Sequence, residues 1–120
     1  MIDTRPKTIF CDIDGTLVTH RIPTKNTTTL EMPDLLPGTT EKLSEWDAKG
    51  YNIILTTGRR ESMRKATEEQ LAELGIFYDR LIMGIGGGDR IVINDNKPDG
   101  RQTAFAINIE RNKGIKDINI

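Results

Sequence analysis

Short apolar runs closed by polar or glycine-rich turns organise this chain. The first, Thr8-Ile-Phe-Cys11, ends at once in Asp12-Ile-Asp14-Gly15-Thr16. A buried strand that delivers polar residues at its carboxyl end fits that pattern. Tyr51 to Leu55, Leu81 to Met83, Ile91 to Ile93 and Thr103 to Ile107 repeat it, which predicts five strands. Two helical stretches intervene. Pro37-Gly38-Thr39-Thr40 opens the first, with a threonine able to cap its free N–H groups, Leu43 and Trp46 on its apolar face and Gly50 at its end. The second, longer one is expected from about Glu61 to Leu74, with Met63, Ala66, Gln70, Leu71 and Leu74 on one face. Strand, helix, strand, helix, strand is the order of a parallel sheet with crossover helices. The predicted fold class is α/β, a doubly wound parallel sheet of about five strands with flanking helices.

Residues 19–36 do not join that pattern. Thr19 to Pro33 lacks helical periodicity and is punctuated by Pro23 and Pro33, so a loop or small flap is expected there. No separate cap domain fits between the first two strands, since most of that interval builds the first helix. The 120 residues, 36% of them hydrophobic, suit a single domain over 1–120. Lys plus Arg total 17 against 18 Asp plus Glu, a net charge of -1. That balance argues against a bulk electrostatic grip on nucleic acid or on an anionic membrane, and leaves room only for a local basic patch. No apolar run approaches the roughly 20 residues of a membrane-spanning helix. With no signal-peptide core at the start, a cytoplasmic location is expected. One cysteine excludes an internal disulfide framework and a Cys-rich zinc site.

Ligands of open parallel sheets bind beyond the carboxyl ends of the strands. The residues that follow three of the apolar runs are Asp12 and Asp14, Thr57 and Arg59, and Asn94 and Asp95. Asp12, Asp14 and Asp95 together offer oxygen donors for a hard divalent cation such as magnesium. A hydroxyl (Thr57) and a cation (Arg59, Lys65, Arg90 or Lys97) suit the equatorial oxygens of a phosphoryl group. A carboxylate can also attack phosphorus and form an aspartyl phosphate, which divides one hard step into two easier ones. An EF-hand reading of the same acids fails, because its sixth position would be Leu17 rather than glycine.

Phe10-Cys-Asp12-Ile-Asp14-Gly15-Thr16-Leu17 resembles the first motif of the haloacid dehalogenase superfamily, whose phosphatases carry DxDGT after the first strand. Ile53-Ile-Leu-Thr-Thr57-Gly58-Arg59 resembles the second motif, and Asn94-Asp95-Asn-Lys-Pro-Asp99 the fourth, with Asn94 in place of a glycine or an acid. The resemblance implies a capless, magnesium-dependent phosphatase. Asp12 would be the nucleophile and a metal ligand. Asp14 would be the acid/base, with its backbone carbonyl towards the metal. Thr57 would hold a phosphate oxygen, and Asp95 would complete the metal site. Thr16, Gly58, Arg59 and Arg90 are expected to line the substrate. The third-motif lysine of the family is missing, since Met83-Gly84-Ile85-Gly86 carries no cation. Lys97 is the preferred substitute, because Arg90 would begin a fourth strand at the far edge of the sheet.

Small relatives of this kind imply a sugar phosphate or similar small metabolite as substrate, with neighbouring subunits of a homo-oligomer closing the open pocket. Thr57-Gly-Arg-Arg-Glu-Ser62 also resembles the second motif of a bacteriophage polynucleotide kinase-phosphatase, which implies a nucleic-acid 3′-phosphate as the alternative. A non-catalytic phosphoryl-binding domain of the same fold is the remaining alternative, and the intact Asp14 argues against it. Cys11 is expected to be a buried small hydrophobe, His20 a surface residue, and Gly84 to Gly88 a flexible turn.

Overall fold

The structure, a computed structural model, describes residues 3–20 and 32–120. Three parallel strands form its sheet: β1 (Thr8–Asp12), β2 (Asn52–Thr56) and β3 (Arg80–Ile82), in the order β1-β2-β3. Thr8 lies beside Asn52 and Asp12 beside Thr56, so β1 and β2 end level with each other. Helix α1 (Thr39–Ala48) connects β1 to β2, and α2 (Arg64–Glu73), led in by a 3₁₀ turn at Glu61–Met63, connects β2 to β3. A right-handed crossover that advances one strand at a time in one direction leaves both helices on the same side of the sheet. Burial follows from that. Ile9, Cys11, Ile53, Leu55 and Leu81 point to one face and share a core with Leu43 and Trp46 of α1 and Leu71 of α2. Each large aliphatic side chain so buried is worth about 1.5–3 kcal/mol. The opposite face carries Phe10 and Ile82, and both are exposed.

The sheet has three strands, not the five expected, and it is wound on one side only. Among the described residues Ile91 to Ile93 and Thr103 to Ile107 pair with no strand. They are the two legs of an extended ribbon, residues 90–108, whose turn is closed by Lys97 N–H donating to Arg101 O and Gly100 N–H to Lys97 O. Across the legs, Asn94 Nδ2 donates to Thr103 Oγ1, which donates to the Asp95 carbonyl. Their apolar residues stand in solvent, Ile93 at 94% exposure. Alternation records a need for burial, but a strand exists only where a neighbouring backbone pairs with it.

Two local expectations also change. Thr39 does not cap α1. Gly38 stands at its N-cap with φ 88°, and the Thr39 hydroxyl donates to the Leu17 carbonyl instead. Helix α2 is no longer than α1, ten residues each, and its buried positions are Thr67, Gln70 and Leu71. The flap expected at 19–36 falls mainly on residues 21–31, outside the described residues. Its two ends are fastened together by Thr19 N–H on Asp34 O and Leu36 N–H on Leu17 O. Among the described residues no helix is long and apolar enough to cross a membrane.

Candidate active site

Asp12 is the last residue of β1, and the chain then turns tightly through Gly15, whose φ of 89° suits a residue without Cβ. Leu17 N–H and Val18 N–H both return to the Ile13 carbonyl, so Asp12 and Asp14 leave the turn on the same side. With Thr57, Gly58 and Arg59 from the end of β2 they line one open pocket of about 400 Å³. Gly86, Gly87, Arg90, His20 and Arg111 complete its wall. Gly58 is there because no other residue fits: a Cβ would lie 2.8 Å from the Gly86 carbonyl oxygen. The glycine turn is held against β2 by Gly84 N–H on Arg59 O and Ile85 N–H on Thr57 O. It is thus a fixed wall of the pocket.

Each charged group has a definite partner. Arg59 grips Asp14 with both arms of its guanidinium, Nε to Oδ2 at 3.0 Å and Nη2 to Oδ1 at 2.7 Å. Its third nitrogen, Nη1, donates to Gln70 Oε1 at 2.8 Å and Thr67 Oγ1 at 3.4 Å, two side chains buried on α2. Helix α2 therefore orients Arg59, and Arg59 orients Asp14. Asp12 makes a different contact, accepting from the Thr16 hydroxyl at 3.3 Å. Its carboxyl is pushed above the ordinary carboxylate range, first by burial against the sheet end and then by the Asp14 charge. Ile13 N–H, Thr16 and the more distant Arg90 act in the other direction. Thr57 is fully buried, and its hydroxyl accepts from Arg59 N–H at 3.1 Å. Arg90 donates to the carbonyls of Gly86 and Gly88, which anchors it to the turn. Burial pushes the Cys11 thiol up to about 12, so it stays a neutral hydrophobe behind the site.

Of the residues expected at the site, Asp12, Asp14, Thr57, Gly58, Arg59 and Arg90 meet at this pocket, and Thr16 touches Asp12. Asp95 and Lys97 do not line it; both lie on the ribbon. The geometry that favoured Lys97 over Arg90 assumed a fourth strand. Without that strand Arg90 stays at the pocket rim. Gly86, Gly87, His20 and Arg111 were not expected at the pocket, and the last two bring side chains to it. Arg111 arrives because the tail docks back on the first motif, through Asn112 N–H on Gly15 O and Asn112 Oδ1 on His20 N–H. His20 is carried in by the same contact. Asn112, at φ 64°, and Gly114 make the turn that aims the tail, and Arg111-Asn-Lys-Gly114 was readable as one.

A hard cation needs several oxygen donors. Among the described residues no three His, Cys, Asp or Glu side chains come together in a way that could hold a metal. Both carboxylate oxygens of Asp14 serve Arg59, while Asp12 accepts from the Thr16 hydroxyl and Ile13 N–H. Among the described residues Asp95 does not join Asp12 and Asp14, so the three acids expected to hold magnesium do not come together.

No protein family matches the chain, and no curated protein matches it. Among solved structures, a chain of the Pnkp1/Rnl/Hen1 complex is 35% identical with a TM-score of 0.57, over 72% of this chain. The present chain spans only 30% of that one. A structure from Vibrio cholerae is 23% identical with a TM-score of 0.49, over 73% of this chain and 79% of its own.

Proposed function

We propose that the protein is a phosphate-monoester hydrolase of haloacid dehalogenase type, working through an aspartyl phosphate. One observation carries the reading: Asp12 and Asp14 leave a single strand end into a pocket walled by Thr57, Arg90 and Arg111. The Asp12 carboxylate attacks phosphorus, the bond to the ester oxygen breaks, and Asp14 passes a proton to that oxygen. Water then attacks the phosphorus of the acyl phosphate, gives its proton to Asp14, and leaves inorganic phosphate with Asp12 restored. Arg59 holds Asp14 at the pocket as the anion, and the proton steps require one of its two contacts to be released. Arg90 and Arg111 supply positive charge to the phosphoryl oxygens. Magnesium belongs to the proposal as a requirement, with the Asp12 carboxylate and the Asp14 backbone carbonyl as the groups that would hold it. Chelation should stop turnover and added magnesium restore it; a full rate in chelator would remove the metal from the reading.

The test is turnover of a generic aryl phosphate, with acid-quench trapping of phosphate on the protein. A phosphorylated Asp12 peptide supports the covalent route, and steady turnover with nothing trapped or trappable in the Asp14→Asn variant rejects it. A small sugar phosphate suits the pocket's size. A nucleic-acid 3′-phosphate is the second reading. It is favoured by Arg111 and His20, which give the wall more positive or hydrogen-bonding groups than one phosphoryl group needs, and by the likeness to a chain of the Pnkp1/Rnl/Hen1 complex. Comparing kcat/KM for a set of sugar phosphates and a 3′-phosphorylated oligonucleotide separates the two.

A further inference from the structure

The pocket's arginines are not equivalent. Arg59 is neutralised where it stands, with two nitrogens on Asp14 and the third on Gln70 and Thr67. Arg90 hangs from the Gly86 and Gly88 carbonyls in the turn after β3, and its charge acts on the Asp12 carboxyl. A phosphoryl group under attack by Asp12 needs a cation in that place. Arg111 enters over the turn after β1, and β1 and β3 are the two outer strands of the sheet. Its guanidinium has no hydrogen bond or ion pair among the described residues, and neither has the His20 ring. A guanidinium at a pocket wall with no carboxylate on it offers its planar fork to an anion from outside.

Arg111 is not a loose surface side chain. A Cβ built on Gly15 would lie 3.2 Å from Arg111 Cγ and 3.5 Å from His20 Cβ, so both side chains rest against the residue next to Asp14. The following residue is tied to the same motif. Asn112 N–H donates to the Gly15 carbonyl at 2.9 Å, and Asn112 Oδ1 accepts from His20 N–H at 2.8 Å. Further on, the tail meshes with the start of α1. A Cβ at Gly114 would overlap the Pro37 carbonyl oxygen, and one at Gly38 would overlap the Lys116 backbone. Ile115 between them is buried, with its N–H on the Pro37 carbonyl. A turn so held fixes the root of the Arg111 side chain, and less freedom is lost when the guanidinium takes a ligand.

We propose that Arg111, with His20 beside it, forms a second anion subsite, and that the substrate carries another phosphate a few bonds from the one Asp12 attacks. The inference rests on the phosphatase reading and narrows its substrate class. The scissile group lies among Asp12, Thr57 and Arg90, and the second group lies over Gly15, within reach of the Arg111 fork and the His20 ring. A small bisphosphate brings that chemistry, and so does the phosphodiester next to a nucleic-acid end. The open pocket of about 400 Å³ admits a ligand with two phosphates. Arg90 then acts on every phosphate monoester alike, and Arg111 tells one with a second anion from one without.

The test is a ratio measured on the full chain: kcat/KM for a substrate with the second anion over that for its partner without it. One set is glucose 1,6-bisphosphate against glucose 6-phosphate. The other is adenosine 3′,5′-bisphosphate and a 3′-phosphorylated dinucleotide against adenosine 3′-phosphate. The wild type should favour the second anion by about 10- to 100-fold in at least one set, chiefly through KM, as expected for one charge-assisted contact. The set that responds identifies the source of the anion. Arg111→Gln should bring the ratio close to one, and Arg111→Lys should keep part of it. Arg90→Gln should lower both members of a set together and leave the ratio standing. Wild-type ratios near one in both sets overturn the subsite, and so does a preference that survives Arg111→Gln. If no phosphate monoester is hydrolysed, the phosphatase reading fails, and equilibrium titration with the same compounds decides the subsite. Equal affinity of the wild type for both members of each set then overturns it.

Discussion

Two segments of this chain carry the same apolar alternation and meet opposite fates. In β1 and β2, Ile9, Cys11, Ile53 and Leu55 lie under helices; in the ribbon, Ile91, Val92 and Ile93 lie in water. The difference is supply. Each of the first strands is followed by a crossover helix whose apolar face covers it, whereas the ribbon's two legs are joined by a four-residue turn with nothing to lay over them. An apolar pattern therefore states that a segment will be covered and leaves open by which molecule.

The sharpest way to separate the two regions is through activity. Asp12→Asn should lower kcat by 10³-fold or more, on the order of 4 kcal/mol or above, with an unchanged circular dichroism spectrum. Retained turnover would disprove the covalent route. Stability comes next. Leu55→Ala should cost about 2–5 kcal/mol at any protein concentration, because it opens a cavity beneath a helix. Ile93→Ala should change stability by no more than about 0.5 kcal/mol, because that side chain is 94% exposed. An equal loss from both would erase the comparison. Arg90→Ala should reduce kcat/KM by about 10²-fold, consistent with loss of one fixed charge at a phosphoryl group. Lys97→Ala with the larger loss would return the clamp to the ribbon.

Smaller effects probe the relay through α2. Gln70→Ala removes a hydrogen bond to Arg59, about 1–2 kcal/mol of stability, and should lower kcat several-fold with KM nearly constant. The smallest concerns pH. Asp12 attacks as the anion, and its carboxyl is held above the ordinary range, so activity should fall on acidification at a higher pH than a free carboxylate would give. Thr16→Val removes a hydrogen bond that favours the anion, and should move that fall further upward. A downward move in a pH–rate profile contradicts the assignment of this limb to Asp12.

The legible part of this molecule is the part fixed by short-range rules. A strand ending in Asp12-Ile-Asp14, and another ending in Thr57-Gly58-Arg59, had to present those residues at one sheet edge once the strands were parallel. Arg59 was legible as a site residue but not as the holder of Asp14, which depends on Thr67 and Gln70 being buried on a helix that follows it. Arg111 and His20 were missed because they are joined by a contact across ninety-two positions, from His20 N–H to Asn112 Oδ1. The fourth and fifth strands were over-read for the reason the ribbon itself gives: periodicity cannot name a pairing partner. Asp95 and Lys97 were assigned on that missing strand.

Trp46 adds a practical consequence. It is the chain's one tryptophan, 2% exposed in the core beneath the sheet, and its indole N–H has no acceptor among the described residues. An indole so enclosed emits at short wavelength and shifts to the red only when the core opens to water. The ribbon carries no tryptophan. Fluorescence will therefore report melting of the core alone. A change confined to the ribbon leaves that signal where it was, so the core is followed by itself, without a label or an engineered probe.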